Sequence, residues 1–214
     1  MITERFKDIV SNMNEYTYHI LGCGAIGSSV ATQLARMGGE DFVLYDMDTV
    51  EEVNVGCSQY ILGDIGKQKV WALNGHIKNI SEDAMCHPEH GEFTDFLYMG
   101  KNDIAILGFD SMWARLKAVE VMCKTKQKPI LIIDGRMGSE QFQQYIIDKP
   151  TVDKYKKTWY SDEDGDPEPC TSKATSYCSN MSGSFIVNAI RKYITGQPYE
   201  KEIVFSFPTM FLGK

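Results

Sequence analysis

Short apolar runs alternate with segments whose apolar positions recur every three or four residues. Tyr18-His19-Ile20-Leu21 reads as a strand running straight into glycines. Ile26, Val30, Leu34 and Met37, with Ala25 and Ala31 beside them, fall at helical spacing over 25–37. Gly38-Gly39 stops that helix. A second strand is expected over Asp41–Asp46, a helix over 64–79 on Ile65, Val70, Leu73 and Ile77, and a strand within 84–93. The run at 104–107 is apolar between charges, which suits a buried parallel strand. A helix over 111–126 and a buried strand over 129–134 follow. The polar, amphipathic residues 1–16 predict a leading helix.

After Gly135 the pattern changes. Residues 141–147 read as an outer strand, 179–194 as a helix rich in small residues, and 203–207 as a last strand. Residues 150–170 are charged and poor in aliphatics, and predict a long, mobile surface loop. The fold class expected is α/β: a Rossmann-like sheet, parallel in its first half and antiparallel in a C-terminal extension, with helices on both faces. One domain over 1–214 is expected, with the leading helix at 1–16, a nucleotide-binding half at 17–135 and a C-terminal half at 136–214.

Composition narrows the function classes. The 214 residues carry 22 Lys and Arg against 29 Asp and Glu, a net charge of −7, which argues against a general nucleic-acid binder. No apolar run approaches the ~20 residues of a membrane helix, and the N-terminus lacks a secretory pattern. The six cysteines form no C-x-x-C pair, which fits reduced thiols in the cytoplasm rather than a zinc ribbon or redox pair. Trp71 and Trp113 read as packing residues, with Trp159 the one expected to be exposed on the loop.

Two features carry chemistry by themselves. Gly22-Cys23-Gly24-Ala25-Ile26-Gly27 is a G-x-G-x-x-G pattern between a strand and a helix. There Gly22 allows the tight turn, Gly24 the approach of phosphate, and Gly27 close packing of helix on strand. Ala25 opens the helix whose first N–H groups face an anion. Asp46 ends the second strand, where a carboxylate accepts hydrogen bonds from ribose hydroxyls. Taken alone, these two would fit an NAD-dependent oxidoreductase.

The residues that follow change the picture. Asp46-Met47-Asp48-Thr49-Val50-Glu51-Glu52-Val53-Asn54, then Gln59, then Gly66-Lys67-Gln68-Lys69, and further on Gly108-Phe109-Asp110-Ser111 with Arg115, resemble the ThiF/MoeB/HesA family, the adenylating fold shared with ubiquitin-activating enzymes. The resemblance implies ATP- and Mg²⁺-dependent adenylation of a C-terminal carboxylate. The expected partner is a ubiquitin-like or sulfur-carrier protein, or a peptide, ending in glycine. In the implied site, Gly22, Gly24, Ala25 and Gly27 cradle phosphate, and Asp46 and Asp48 flank the ribose. Asn54, Gln59 and Lys69 meet the triphosphate, and Asp110 holds Mg²⁺ with Ser111 beside it. Asp110 also stands where the helix over 111–126 takes its cap.

The chain departs from the family pattern at two places. Cys57-Ser58-Gln59 stands where Arg-Gln is expected, and Ser111 where asparagine is. Neither Cys nor Ser replaces a guanidinium. Arg5, in Glu4-Arg5-Phe6, resembles the N-terminal arginine that reaches a partner subunit's ATP, which implies a dimer. A degenerate partner subunit of a heterodimeric activating enzyme is the alternative reading. Cys170, in Glu168-Pro169-Cys170-Thr171, is a candidate thioester nucleophile within the crossover segment expected over about 150–178. Arg136-Met137-Gly138 resembles the family turn before the antiparallel half.

Overall fold

The computed structural model describes residues 3–98, 100, 102–163 and 174–214. Eight strands form one sheet: β1 (Thr17–Leu21), β2 (Asp41–Asp46), β3 (Met85–His90), β4 (Asp103–Leu107), β5 (Leu131–Gly138), β6 (Gln141–Asp148), β7 (Glu202–Ser206) and β8 (Phe211–Gly213). Their spatial order is β3-β2-β1-β4-β5-β6-β7-β8. The first five are parallel, and β5 through β8 pair antiparallel. The helices are α1 (Ala25–Arg36), α2 (Glu52–Val55), α3 (Lys69–Ile80), α4 (Met112–Lys124), α5 (Val152–Lys156) and α6 (Ser176–Ile194).

The two-residue period of the strands divides the core. Tyr18, Ile20, Phe42, Leu44, Ile104, Ile106, Leu131 and Ile133 pack on one face, under Val30 and Leu34 of α1, Leu73 and Ile77 of α3, and Ile186 and Ile190 of α6. Leu21, Val43, Tyr45, Ala105, Leu107 and Ile132 pack on the other, against Leu116 and Val119 of α4 and Tyr155 of α5. β1 and β4 are buried along their whole length, as expected of strands covered on both sides. Among the described residues no helix is long and apolar enough to cross a membrane.

Several expectations are corrected. Residues 3–9 form turns and Met13–Glu15 a 3₁₀ helix, in place of one leading helix. Phe6, Val10 and Met13 still reach the core, at the spacing a helix would give, but successive turns carry them there. α3 starts at Lys69 rather than 64, because Gly66 takes a positive φ of 84°. β5 runs on through Arg136 to Gly138, so the turn falls at Ser139–Glu140. Its pairing with β6 is unbroken from Leu131 to Gly138. The expected outer strand, β6, is interior, and β8 forms the edge. The described part of the expected mobile loop is anchored instead. α5 carries a fully buried Tyr155, and residues 158–162 bond back to the body of the protein. Trp71 and Trp113 are more than half exposed, whereas Trp159 is the half-buried one.

Candidate functional site

The sheet switches direction between β1 and β4, and the crevice outside the carboxyl ends of these strands is where open α/β sheets bind ligands. Two loops meet there. Gly22, at φ +93°, donates its N–H to Tyr45 O at 2.8 Å, and Gly108 donates to Leu21 O at 2.7 Å. A Cβ at Gly22 would lie 2.7 Å from the Gly108 carbonyl carbon. One at Gly27 would lie 1.9 Å from Gly22 O, so α1 packs on β1 only without a side chain there. Gly24 is different, with no heavy atom within 4 Å of where its Cβ would stand. No side chain caps α1 either, so its amino end faces open space. Ala25 is the first residue of that helix.

Asp46 is 9% exposed and fixes this loop. Its Oδ2 accepts from Cys23 N at 2.7 Å and its Oδ1 from Asp48 N at 2.8 Å. Each oxygen keeps a lone pair for a further donor. Burial raises its pKa above the ordinary value, while Lys69 and the two N–H groups pull the other way. Lys69 opens α3 with its side chain only 11% exposed, and its Nζ lies 2.7 Å from Asp48 Oδ2. Burial works against the ammonium, but Asp46 and Asp48 outweigh it and raise its pKa, so Lys69 stays charged. Tyr60, buried, ties the parts together: its hydroxyl donates to Cys23 O at 2.6 Å and lies 3.2 Å from Lys69 O.

Two other expected triphosphate residues are engaged locally. Asn54 Oδ1 accepts from Glu51 N at 2.9 Å and caps α2, which leaves its amide N–H groups as the donors it can offer. Gln59 donates Nε2 to Asn180 Oδ1 at 2.8 Å, on α6. Cys57, in the place of the expected arginine, bonds to Val53 O and Asn54 O, and burial pushes its thiol up. It supplies no positive charge.

Asp110 follows β4 and is exposed beside the Gly22–Gly108 contact. The α4 cap is Ser111 rather than Asp110: Ser111 Oγ accepts from Ala114 N. Asp162, missed in the sequence, completes that helix end. Its carboxylate accepts from Met112 N at 2.7 Å, Ser111 Oγ at 3.1 Å and Trp113 N at 3.2 Å. Beneath lies a buried network the sequence did not disclose. Asp134 holds Arg115 through one oxygen, and Arg136 at 2.7 Å and Tyr155 at 3.0 Å through the other. Arg115 also donates to Leu107 O and Phe109 O, which braces the loop carrying Asp110. No signal in the sequence pairs these residues, since Asp134 is 19 and 21 positions from Arg115 and Tyr155.

Arg5 is not brought to this chain's glycine loop. It is exposed on the turn whose Thr3 packs against Gly38, past the far end of α1, about 18 Å along the helix from Ala25. Cys170 lies outside the described residues. Cys178 is buried, its thiol pushed up to about 11 by burial. Among the described residues no three His, Cys, Asp or Glu side chains are grouped to hold a metal ion.

Comparison with known proteins bears on the family and the fold. Human ubiquitin-like modifier-activating enzyme 1 is 25% identical over 155 residues, 66% of this chain and 14% of that protein. Ubiquitin-like modifier-activating enzyme 5 of Caenorhabditis elegans is 26% identical over 130 residues, 54% of this chain and 31% of that protein. The crystal structure of E. coli MccB with MccA-N7isoASN superposes with a TM-score of 0.76 at 15% identity, over 96% of this chain and 65% of that one. The chain thus spans under a third of these curated relatives and just under two-thirds of MccB. The sequence profile of the ThiF family matches residues 3–210, and the chain belongs to the ThiF family.

Proposed function

We propose that this protein is an ATP- and Mg²⁺-dependent adenylyltransferase of the ThiF/MoeB type. It joins AMP to the C-terminal carboxylate, a glycine, of a ubiquitin-like or sulfur-carrier protein or of a peptide, in the cytoplasm. In the reaction a carboxylate oxygen attacks the α-phosphorus of ATP, the bond to the β-phosphate oxygen breaks, and pyrophosphate leaves. The observation that carries the reading is Lys69, a nearly buried ammonium paired with Asp48, within the field of Asp46, beside an open glycine loop. An NAD-dependent oxidoreductase uses the loop and Asp46 but has no task for that cation. MccB has been crystallised with ATP, which supports ATP as the nucleotide.

In this reading Gly24 and the open end of α1 receive phosphate, and Asp46 accepts from the ribose. Lys69 offsets charge on the triphosphate as pyrophosphate departs, with the amides of Asn54 and Gln59 as further donors. Asp110 fits Mg²⁺, a hard cation bound through one or two carboxylates with phosphates and waters making up the rest. Its carboxylate is exposed, and no hydrogen bond from a described side chain engages it. Bound there, the cation would neutralise phosphate charge. Arg5, remote from its own loop, serves a second copy in a homodimer. The exposed apolar side chains Met47, Val53, Ile61, Leu62, Ile65 and Trp71, close in sequence around the site, support such a contact.

The missing arginine supports a second reading, a degenerate subunit that binds ATP without activating a substrate. The test is pyrophosphate exchange into ATP, with candidate carriers ending in Gly-Gly, for wild type and Asp110→Ala. Carrier-dependent exchange, lost in the variant, is expected. ATP binding without exchange under any carrier would favour the degenerate subunit, and binding of NAD in place of ATP would overturn both.

A further inference from the structure

One polar network joins residues without an assigned role to the site described above. It runs from the C-terminal half to the nucleotide loop. Asn180, on the exposed side of α6, donates Nδ2 to Ser176 O at 2.8 Å. A carbonyl only accepts, so this bond fixes the amide's orientation and turns Oδ1 outward, where it accepts from Gln59 Nε2 at 2.8 Å. The Asn180 carbonyl in turn accepts from Gln33 Nε2 of α1 at 3.0 Å and from Ser184 Oγ at 3.0 Å. Gln33 also reaches Ser29 Oγ at 3.1 Å. The helices touch at this level: a Cβ on Gly183 would lie 2.3 Å from Ser29 Oγ. Asn180 is therefore held from both helices before it meets Gln59.

Gln59 passes the restraint on. Its own N–H bonds to Ser28 Oγ, in the first turn of α1, at 3.2 Å. The next residue is Tyr60, whose hydroxyl donates to Cys23 O in the glycine loop and lies 3.2 Å from Lys69 O. The Gln59–Tyr60 pair is thus a strut whose inner end sets the glycine loop against Lys69 and whose outer end is held by Asn180.

We propose that Asn180 is a positioning residue for the nucleotide: by fixing Gln59 it holds the Tyr60 strut, and so the spacing between the phosphate loop and the Lys69 ammonium. The proposal rests on the ATP reading above. It also gives α6, which belongs to the antiparallel half of the chain, a direct hold on the ATP site in the parallel half.

The experiment is calorimetric binding of ATP with Mg²⁺ to the whole chain. Asn180→Ala is expected to weaken binding about fivefold, the loss of one neutral hydrogen bond. Asn180→Asp keeps an acceptor for Gln59 but loses the donor to Ser176 O that orients it, so it is expected to recover only part of the loss. Asn180 is exposed, so both variants should melt within about 2 °C of wild type, which separates positioning from general stability. In a Gln59→Ala background, Asn180→Ala should add nothing further, since the two act through one bond. Wild-type affinity in Asn180→Ala, or full additivity with Gln59→Ala, would overturn the proposal while leaving the ATP reading in place. Failure of the wild type to bind ATP at all would overturn the ATP reading, and the role of Asn180 with it.

Discussion

Two helices begin at the same edge of the sheet and end their first turns in opposite ways. The amino end of α1 carries no side-chain cap, and open space lies beyond Gly24. The amino end of α4 is closed twice, by Ser111 and by the Asp162 carboxylate. Every helix presents unpaired N–H groups at its start, and both are therefore potential anion sites. The chain fills one with its own carboxylate and leaves the other free. The difference supports the proposed phosphate site at α1, next to Asp46 and Lys69, and makes α4 a structural anchor for the segment 158–162.

The comparison is broken most severely at Gly27. Its Cβ would collide with Gly22 O, a backbone atom that cannot swing aside. Gly27→Ala is expected to push α1 off β1 and to lower ATP affinity at least 100-fold in a calorimetric titration. Gly24→Ala, with free space around it, should leave the fold intact, so the pair separates damage to packing from damage to the site. An unaffected Gly27→Ala protein would show that the open end of α1 is not the phosphate site.

Asp46 gives a smaller and pH-dependent effect. Burial lifts its pKa above the ordinary 3.8, so on acidification it takes up a proton earlier than a free aspartate does. Only the ionised form offers both oxygens as acceptors to the loop and the ribose. ATP affinity should therefore be full at neutral pH and fall as the pH drops through that raised value. Asp46→Asn should cost about tenfold at pH 7, because its NH₂ faces a backbone N–H, and should flatten the acid limb. An acid limb that persists unchanged in Asp46→Asn would assign it to another group.

How much of this was legible follows from distance along the chain. The glycine loop, Asp46 and the parallel strands are local patterns, set by a two-residue period and by spacings within one β-α-β unit. Their physical cause and their signal lie in the same thirty residues. Asp162 caps a helix 50 positions away, and Asn180 meets Gln59 across 121. Nothing near either residue marks the partner. Charge misled as well: the polar run after 150 read as solvated loop, yet Tyr155 is buried in it against Asp134. Strand β8 was missed because three mostly exposed residues have no period to read. The tryptophans were inverted for a related reason. Trp71 and Trp113 sit on helices with apolar neighbours, but outside the buried stripe, whereas Trp159 finds Met112 O at 2.8 Å.

Asp162→Ala tests the other helix end and should have the smallest effect on nucleotide. Ser111 still caps α4, so the variant loses the carboxylate's three bonds and its favourable place at the helix start, about 1 kcal/mol in all for so exposed a group. For a domain of this size that is a fall in melting temperature of about 3 °C. The ring contact of Trp159 with Trp113, at 4.9 Å between centroids, is held by the same segment, so tryptophan emission should shift and cleavage within 158–163 by a protease should quicken. ATP affinity should stay within twofold. If it instead changed tenfold in either direction, the two helix ends would not be separate in function: the amino end of α4 would belong to the nucleotide site, and Asp162 would be a carboxylate competing with phosphate for it.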